Sequence, residues 1–484
     1  MNKSIKLFSA FVVMVSGIFV LTPSCSGSVE NEYSMEIKYN PDDLPSTEDP
    51  KDPIDIDDVE KPRAEWANPE IEDRPLVDCT KWEIKNGKFY LDGTWKFLKI
   101  AKPLLNYAGK SNRTVTNTLL RNLDNYRERY FSAISMNCYW HLFDANGDGK
   151  CDTDPEALAE AIEMIYEKGM YPVLSVETYA VGGGTVPEGF WSKHPEAQAV
   201  DYEGNLVTDT EYGFNSKVPS IFNKDYRNAV TSYIKDLASK VNTDHILYFE
   251  TTVEPQYMGA EKLDYGEDAR AAYNEWRKKN NITDAASEMP RTFPMPSSFV
   301  KNETWNRFRA EALAACLRED AEAYRSVAGE KAYVAVDYLD ADEGVQIYRT
   351  GDPLTFLTNL DFANIIQVNW HWNLGTMSPN TKAYDRVYAA MEKNGCDWVI
   401  SEHMTFNGDC YTNYSTANVD KVLENTISKG TRFGWEFTNT NPSSTDTFSL
   451  YDNDFNPKYP MSEIDKYWGY WLHRVRKVEK DSKK

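Results

Sequence analysis

Two acidic residues sit where chemistry would need them. Glu254 closes the stretch "HILYFETTVEPQYMG" (245–259), and Glu402 lies within "DWVISEHMTF" (397–406). Each follows an apolar run that reads as a strand. Two carboxylates facing each other across a cleft are what glycosidic cleavage requires: one protonates the leaving oxygen, the other attacks the anomeric carbon or activates water. The first stretch holds a second acid, Glu250. With the two-residue period of a strand, Tyr248, Glu250, Thr252 and Glu254 share one face, and Glu250 lies about 13 Å deeper at roughly 3.3 Å per residue. A carboxylate at that depth is expected to be a paired structural group, because an unpaired buried charge is costly. For either Glu254 or Glu402 taken alone, the competing reading is an ion-paired or solvated loop acid.

Positioning such a pair demands a scaffold. From about residue 76 onward, short apolar runs alternate with amphipathic segments. The runs span 94–101, 131–143, 171–180, 245–254, 332–340, 365–372, 397–406 and 431–439. Between them lie helical patterns such as "DPEALAEAIEMIYEKG", with Asp154 as N-cap, Pro155 in the first turn and Gly169 as the stop. Eight strand–helix units imply an α/β fold, a (β/α)8 TIM barrel with long loops, over residues 76–484. An open doubly wound sheet is the rival, but no strand runs into a GxGxxG or GxxxxGK[ST] loop. Chemistry in such a barrel sits at the C-terminal ends of the strands, and Glu254 and Glu402 end strands four and seven.

The segments "FWSKHPEAQAVDYEGN", "GFNSKVPSIFNKDYRNAVTSYIKDLASKV" and "HILYFETTVEPQY" resemble clan A of the retaining glycoside hydrolases, and within it family 42, the β-galactosidases. The resemblance implies that Glu254 is the acid/base and Glu402 the nucleophile of a double displacement on a β-linked oligo- or polysaccharide, with a β-galactoside among the substrates it suggests. Glu254 would then hold its proton near neutrality while Glu402 stays ionised. Clan members usually place an Asn directly before the acid/base, where it contacts the sugar 2-hydroxyl; here that position is Val253, so the contact must come from elsewhere or be absent. Family 42 enzymes carry further domains after the barrel, one of which helps build a trimer. Here the strand count runs nearly to the end of the chain, so a single barrel is expected and the oligomeric state stays open. The resemblance also puts a sugar-stacking Trp on strand eight, at Trp435. By the two-residue period, Asn369 and His371 in "QVNWHW" share a face, as candidates to bond the nucleophile or a sugar hydroxyl. His141, Tyr179, Tyr257 and Asp337 are further candidates for substrate contact, with packing as the alternative for all of these. The rival function is a surface glycan-binding barrel that has lost catalysis, for which Val253 is the best argument. A peptidase or esterase lacks any GxSxG elbow.

The tract "DANGDGKCDTD" (144–154) places Asp144, Asn146, Asp148 and Asp152 at positions 1, 3, 5 and 9 of a calcium loop, with the Lys150 carbonyl at position 7. Position 12 is Pro155, so the bidentate Glu is missing, and an Asx-rich turn is the competing reading. A structural calcium is the one cofactor weighed, and none is required. The remaining cysteines show no zinc spacing.

The chain opens with Lys3 and Lys6, an apolar run from Leu7 to Leu21 and then small residues before Cys25. This reads as an export signal over 1–24, with a lipobox-like end, Leu21 one place early, that makes Cys25 the lipidation site of a lipoprotein of the outer membrane or cell surface; ordinary signal-peptide cleavage is the competing reading. Residues 25–75 read as an acidic, Pro-rich tether. Residues 30–73 hold sixteen acidic and four basic side chains, about −12 of the formal −22. The acidity therefore belongs largely to the tether, and it argues against nucleic acid as a partner. Carbohydrate, and a membrane reached through the lipid, are the expected partners.

Overall fold

The computed structural model describes residues 81–91, 93–103, 111–179, 185–209, 216–257, 263–283, 302–339, 349–372, 381–406, 423–443, 449–459 and 461–481, excluding the side chains of 370–372, 381, 382, 405, 406 and 476–481. The signal, the tether, Cys25, Cys79 and Cys410, and the side chain of His371, lie outside that set.

Eight parallel strands close into a barrel in chain order: β1 (Leu98–Lys102), β2 (Ala133–Tyr139), β3 (Tyr171–Glu177), β4 (Phe249–Glu250), β5 (Val334–Leu339), β6 (Ile365–Trp372), β7 (Val399–Phe406) and β8 (Gly434–Thr438), with β8 pairing back onto β1. This is the (β/α)8 fold, and every anticipated strand is present. Two are shorter than their apolar runs suggest. The run 131–143 ends as strand at Tyr139 and continues as a helical turn, Trp140–Phe143. The run 245–254 begins with a 3-10 turn, Thr243–His245, and leaves the ladder soon after Glu250, although Leu247 N–H still donates to Pro172 and Thr251 N–H to Ala335.

The helices packed outside include α1 (Asn112–Leu120), α2 (Pro155–Glu167), α3 (Lys224–Ser239), α4 (Glu303–Ala328), α5 (Pro353–Thr358) and α6 (Thr381–Asn394), followed by a C-terminal α7 (Trp468–Asp481). Helix α2 begins with Pro at its first turn, and Gly169 after it takes φ +75°, as the sequence suggests. Asp154 occupies the cap position but does not cap: its carboxylate pairs with Arg113 at 2.8 and 3.0 Å, tying α2 to α1. Buried Arg227 on α3 bonds Asp320 at 2.8 Å and the Cys316 carbonyl at 2.8 Å, fixing α3 to α4.

A small antiparallel sheet, Trp82–Lys85, Lys88–Leu91 and Thr94–Trp95, closes the N-terminal end of the barrel. Its Trp82 and Phe89 pack with Leu98, Ile100, Val173, Tyr248, Ala335 and Val399 in one apolar cluster. These barrel residues define the inner face of their strands. The other face of each strand belongs to a separate cluster shared with the helices, which includes Ile134, Val176, Phe249, Val336, Val368, Ile400, Trp435 and Phe437. Because strand side chains alternate, these two clusters assign every barrel residue to the lumen or to the outer layer.

Candidate active site at the barrel mouth

Alternation sends a set of charged and polar side chains into the lumen above the apolar floor. Lys102 at the end of β1 bonds both oxygens of Glu250, at 2.9 and 3.1 Å, and lies 3.3 Å from Glu436 Oε1 on β8. All three are buried. Burial alone would lower the Lys102 pKa, but Glu250, Glu436 and Glu177 around it outweigh that and raise it. Glu250 is thus the paired structural acid that its depth demands. The Tyr248 hydroxyl donates to Glu436 Oε2 at 3.3 Å, and Gln367 donates to that hydroxyl at 3.3 Å.

One level higher, His403 on β7 reaches three strands. Its Nδ1 lies 3.3 Å from Glu436 Oε1 and 3.6 Å from Asp337 Oδ2, while Nε2 meets the Thr438 hydroxyl. Asp337 on β5 accepts the Glu254 N–H at 3.0 Å and an Asn369 amide hydrogen at 3.3 Å. Burial pushes the Asp337 carboxyl well above the carboxylate range, and the charges of Glu250 and Glu254 push it further. Glu177, at the end of β3, is raised for the same leading reason; it accepts an Asn137 amide hydrogen at 3.3 Å.

Glu254 sits at the top of this network. Its Oε1 accepts a 2.7 Å hydrogen bond from Asn369 Nδ2 on β6. Its backbone takes φ +49°, the left-handed region that a non-glycine residue enters only when its surroundings hold it there. A holding group is visible: Asp337 accepts the N–H of Glu254. The chain therefore turns sharply at the end of β4 and points the Glu254 carboxyl at Asn369. Of the sequence candidates, the structure brings together Glu254, Asp337 and Asn369.

Glu402 requires a correction. Its neighbours Ser401 and His403 take the lumen side of β7, so Glu402 points outward, where the Tyr384 hydroxyl of α6 donates to its Oε2. It is fully buried, and burial pushes its carboxyl up to about 8, with the Tyr384 bond only partly offsetting this. A nucleophile must be ionised and reach the lumen, and Glu402 meets neither condition. Trp435 is corrected likewise. It pairs in register with Glu402, packs edge-on against Phe97, Trp468 and Trp471, and donates from Nε1 to Thr426 at 2.9 Å. It is a core residue of the outer layer and not a wall of the mouth.

Tyr257 and Tyr179 are also packed away. The Tyr257 hydroxyl donates to the Arg309 carbonyl of α4 at 2.9 Å, with the Arg309 guanidinium 4.3 Å from its ring centre. Tyr179 is buried near Tyr257, Tyr226 and Cys316, and burial raises its pKa. His141 lies half-buried on the turn after β2, where burial lowers its pKa. In the 144–154 tract, Asp144 spends its carboxylate on protein donors: Trp140 Nε1 at 2.9 Å, Gly149 N–H at 2.7 Å and Asp148 N–H at 3.2 Å. Asn146 donates to Asp152 at 2.9 Å, and Asp148 accepts the Lys150 N–H at 3.2 Å. These contacts are those of an Asx-rich turn. Cys138, Cys151, Cys316 and Cys396 are free thiols.

The sequence reading passed over Lys102, Glu177, His403 and Glu436. A signal existed for Glu177, His403 and Glu436, since a charged residue inside an apolar strand run must be paired to be buried; Lys102 falls just past its run.

Comparison with known proteins bears on what this arrangement is. The family 42 glycoside hydrolase model, described as Beta-galactosidase, matches residues 148–287, a segment that contains Glu254. The catalytic domain of β-amylase from Paenibacillus polymyxa is similar in structure at TM-score 0.56 and 14% identity, over 79% of this chain and 98% of that one. The β-galactosidases from the psychrophilic Marinomonas ef1 and from Rahnella sp. R3 superpose at TM-scores 0.56 and 0.58, with 13% and 14% identity, each over 79% of this chain. This chain spans 60% and 57% of those two proteins. No curated protein sequence matches significantly. The resemblance to the family 42 β-galactosidases is therefore borne out over residues 148–287, on a chain that folds as the same kind of barrel, with Glu254 in the turn just past its fourth strand.

Proposed function

We propose that this chain is a β-glycoside hydrolase in which Glu254 is the general acid, protonating the leaving oxygen of a β-linked glycan, with a terminal β-galactoside as the first substrate to test. The carrying observation is the Glu254 carboxyl, presented at the barrel mouth from a left-handed backbone and held by Asn369 at 2.7 Å. Proton donation to the leaving group is common to retaining and inverting two-carboxylate hydrolysis. Double displacement through Glu402 is not part of this reading, because that carboxyl faces the helix layer. Asn369 also answers the lack of an Asn before the acid: a strand-six amide stands beside Glu254 where Val253 offers only a methyl-bearing side chain. The test is hydrolysis of aryl β-glycosides and β-linked disaccharides by wild type and Glu254→Gln.

A second reading has its own observation. With Glu402 turned outward and Val253 before the acid, the barrel could bind glycan without cutting it. Saturable glycan binding with no released sugar from any β-glycoside would favour that reading over hydrolysis. For placement, we propose export and lipid attachment at Cys25, supported by the basic, apolar and small-residue order of residues 1–25. Radiolabelled palmitate should enter the wild type and not Cys25→Ala.

A further inference from the structure

Among the described residues, the lumen holds more carboxyl groups than basic side chains. Five carboxyl groups among the described residues, from Glu177, Glu250, Glu254, Asp337 and Glu436, are buried there, against one ammonium, Lys102, and one imidazole, His403. Within this set, one ligand atom each from Glu250, Asp337 and His403 lies within 4.8 Å of the other two, the spacing of donors around a single metal ion. Two further observations point to a ligand. Asp337 Oδ1 is buried and has no hydrogen-bond partner, although Oδ2 of the same group is fully engaged. His403 has Nε2 held by the Thr438 hydroxyl, which turns Nδ1 toward the carboxylates. A histidine anchored through one ring nitrogen by an oxygen, with the other aimed at acids, is how proteins orient a metal-ligating imidazole.

We infer that Glu250, Asp337 and His403 form a divalent-cation site in the barrel lumen. The donor set, one imidazole nitrogen and two carboxylate oxygens, suits a borderline ion such as Zn²⁺ or Mn²⁺ better than Ca²⁺, which prefers an all-oxygen shell. Lys102 bonds both oxygens of Glu250, so the ion would share Glu250 with that ammonium and take Asp337 and His403 as its own. Its role is to set the floor beneath Glu254, because Asp337 ties the ion to the Glu254 backbone. The inference rests on lumen geometry and not on the glycosidase reading.

The experiment uses the exported full-length protein, stripped with chelator, then exposed to Zn²⁺ or Mn²⁺ and desalted. Bound metal is counted by elemental mass spectrometry, and the melting temperature is followed with added metal. Wild type should retain about one equivalent and melt ~2 °C or more higher with metal. Asp337→Asn and His403→Gln should abolish both effects. His194→Ala should leave them intact, which excludes the exposed His194, Glu196 and Asp225 group as the source. Should either lumen variant fail to fold, Mn²⁺ bound to the His194→Ala protein supplies the decision: spin-echo spectroscopy should show coupling to one imidazole nitrogen. No retained metal in wild type, metal retained undiminished by folded Asp337→Asn and His403→Gln, loss of metal in His194→Ala, or absence of nitrogen coupling would each overturn the site.

Discussion

Replacing Glu402 by Gln separates a structural acid from a catalytic one. Burial between β7 and α6 holds the Glu402 carboxyl at about 8, against an ordinary value of 4.5. Between those values the native protein keeps a proton that the unfolded chain has released. By linkage, stability then falls as pH rises through this window and levels off above it. The steepest slope is about 1.4 kcal/mol per pH unit, and the whole effect is roughly 4–5 kcal/mol as an upper figure. Gln is neutral at every pH, fills nearly the same volume and can still accept from the Tyr384 hydroxyl. Glu402→Gln should therefore match wild type near pH 5 and exceed it near pH 8. Subtracting the two curves cancels the like-signed contributions of Glu177 and Asp337. The assay is urea unfolding at pH 5, 6, 7 and 8 for both proteins, with β-glycosidase rate measured on the same samples. The account expects the stability gap to open with pH and the rate to stay within about tenfold. Parallel stability curves, or a rate loss beyond ~10³-fold in a folded variant, would refute the outward placement of Glu402.

Other outcomes follow from the same contacts. Lys102→Met leaves Glu250 and Glu436 without their cation and should cost about 3–5 kcal/mol in urea unfolding. Trp435→Ala empties an aromatic cluster formed with Phe97, Trp468 and Trp471; it should lose about 3–5 kcal/mol of stability while glycan affinity, measured by calorimetry below the melting point, is unchanged. Added Ca²⁺ should move the melting temperature by less than ~1 °C, since the Asp144 carboxylate is already taken by three N–H donors; a larger rise abolished by Asp144→Asn would restore the calcium loop.

The barrel is legible in the sequence because parallel strands covered on both faces read as continuous apolar runs. The same fact hides which way a given residue points. In "WVISEHMTF" the polar Glu402 and His403 are adjacent within an otherwise apolar or small run, so no alternation marks the lumen face, and a shift of one residue exchanges Glu402 for His403. Strand eight repeats the problem: Trp435 and Glu436 are adjacent, and the acid takes the lumen while the ring takes the outer layer. On strand four the reasoning succeeded because Glu250 and Glu254 are compared with each other. Their separation decides depth whatever the register, and the Lys102 pair and the Asn369 contact follow that order. Tyr179 and Tyr257 were lost to α4, whose Arg309 carbonyl and guanidinium lie far from strand four in sequence.

The central claim is that Glu254 donates the proton to the leaving group, and its most direct test compares two substrates. A β-galactosyl disaccharide has a poor leaving group that needs the acid; dinitrophenyl β-galactoside has a good one that does not. The account predicts that Glu254→Gln lowers kcat/KM on the disaccharide by about 10²–10⁴-fold and far less on the dinitrophenyl glycoside. Equal losses on both substrates, or a wild-type protein that hydrolyses neither, would contradict it.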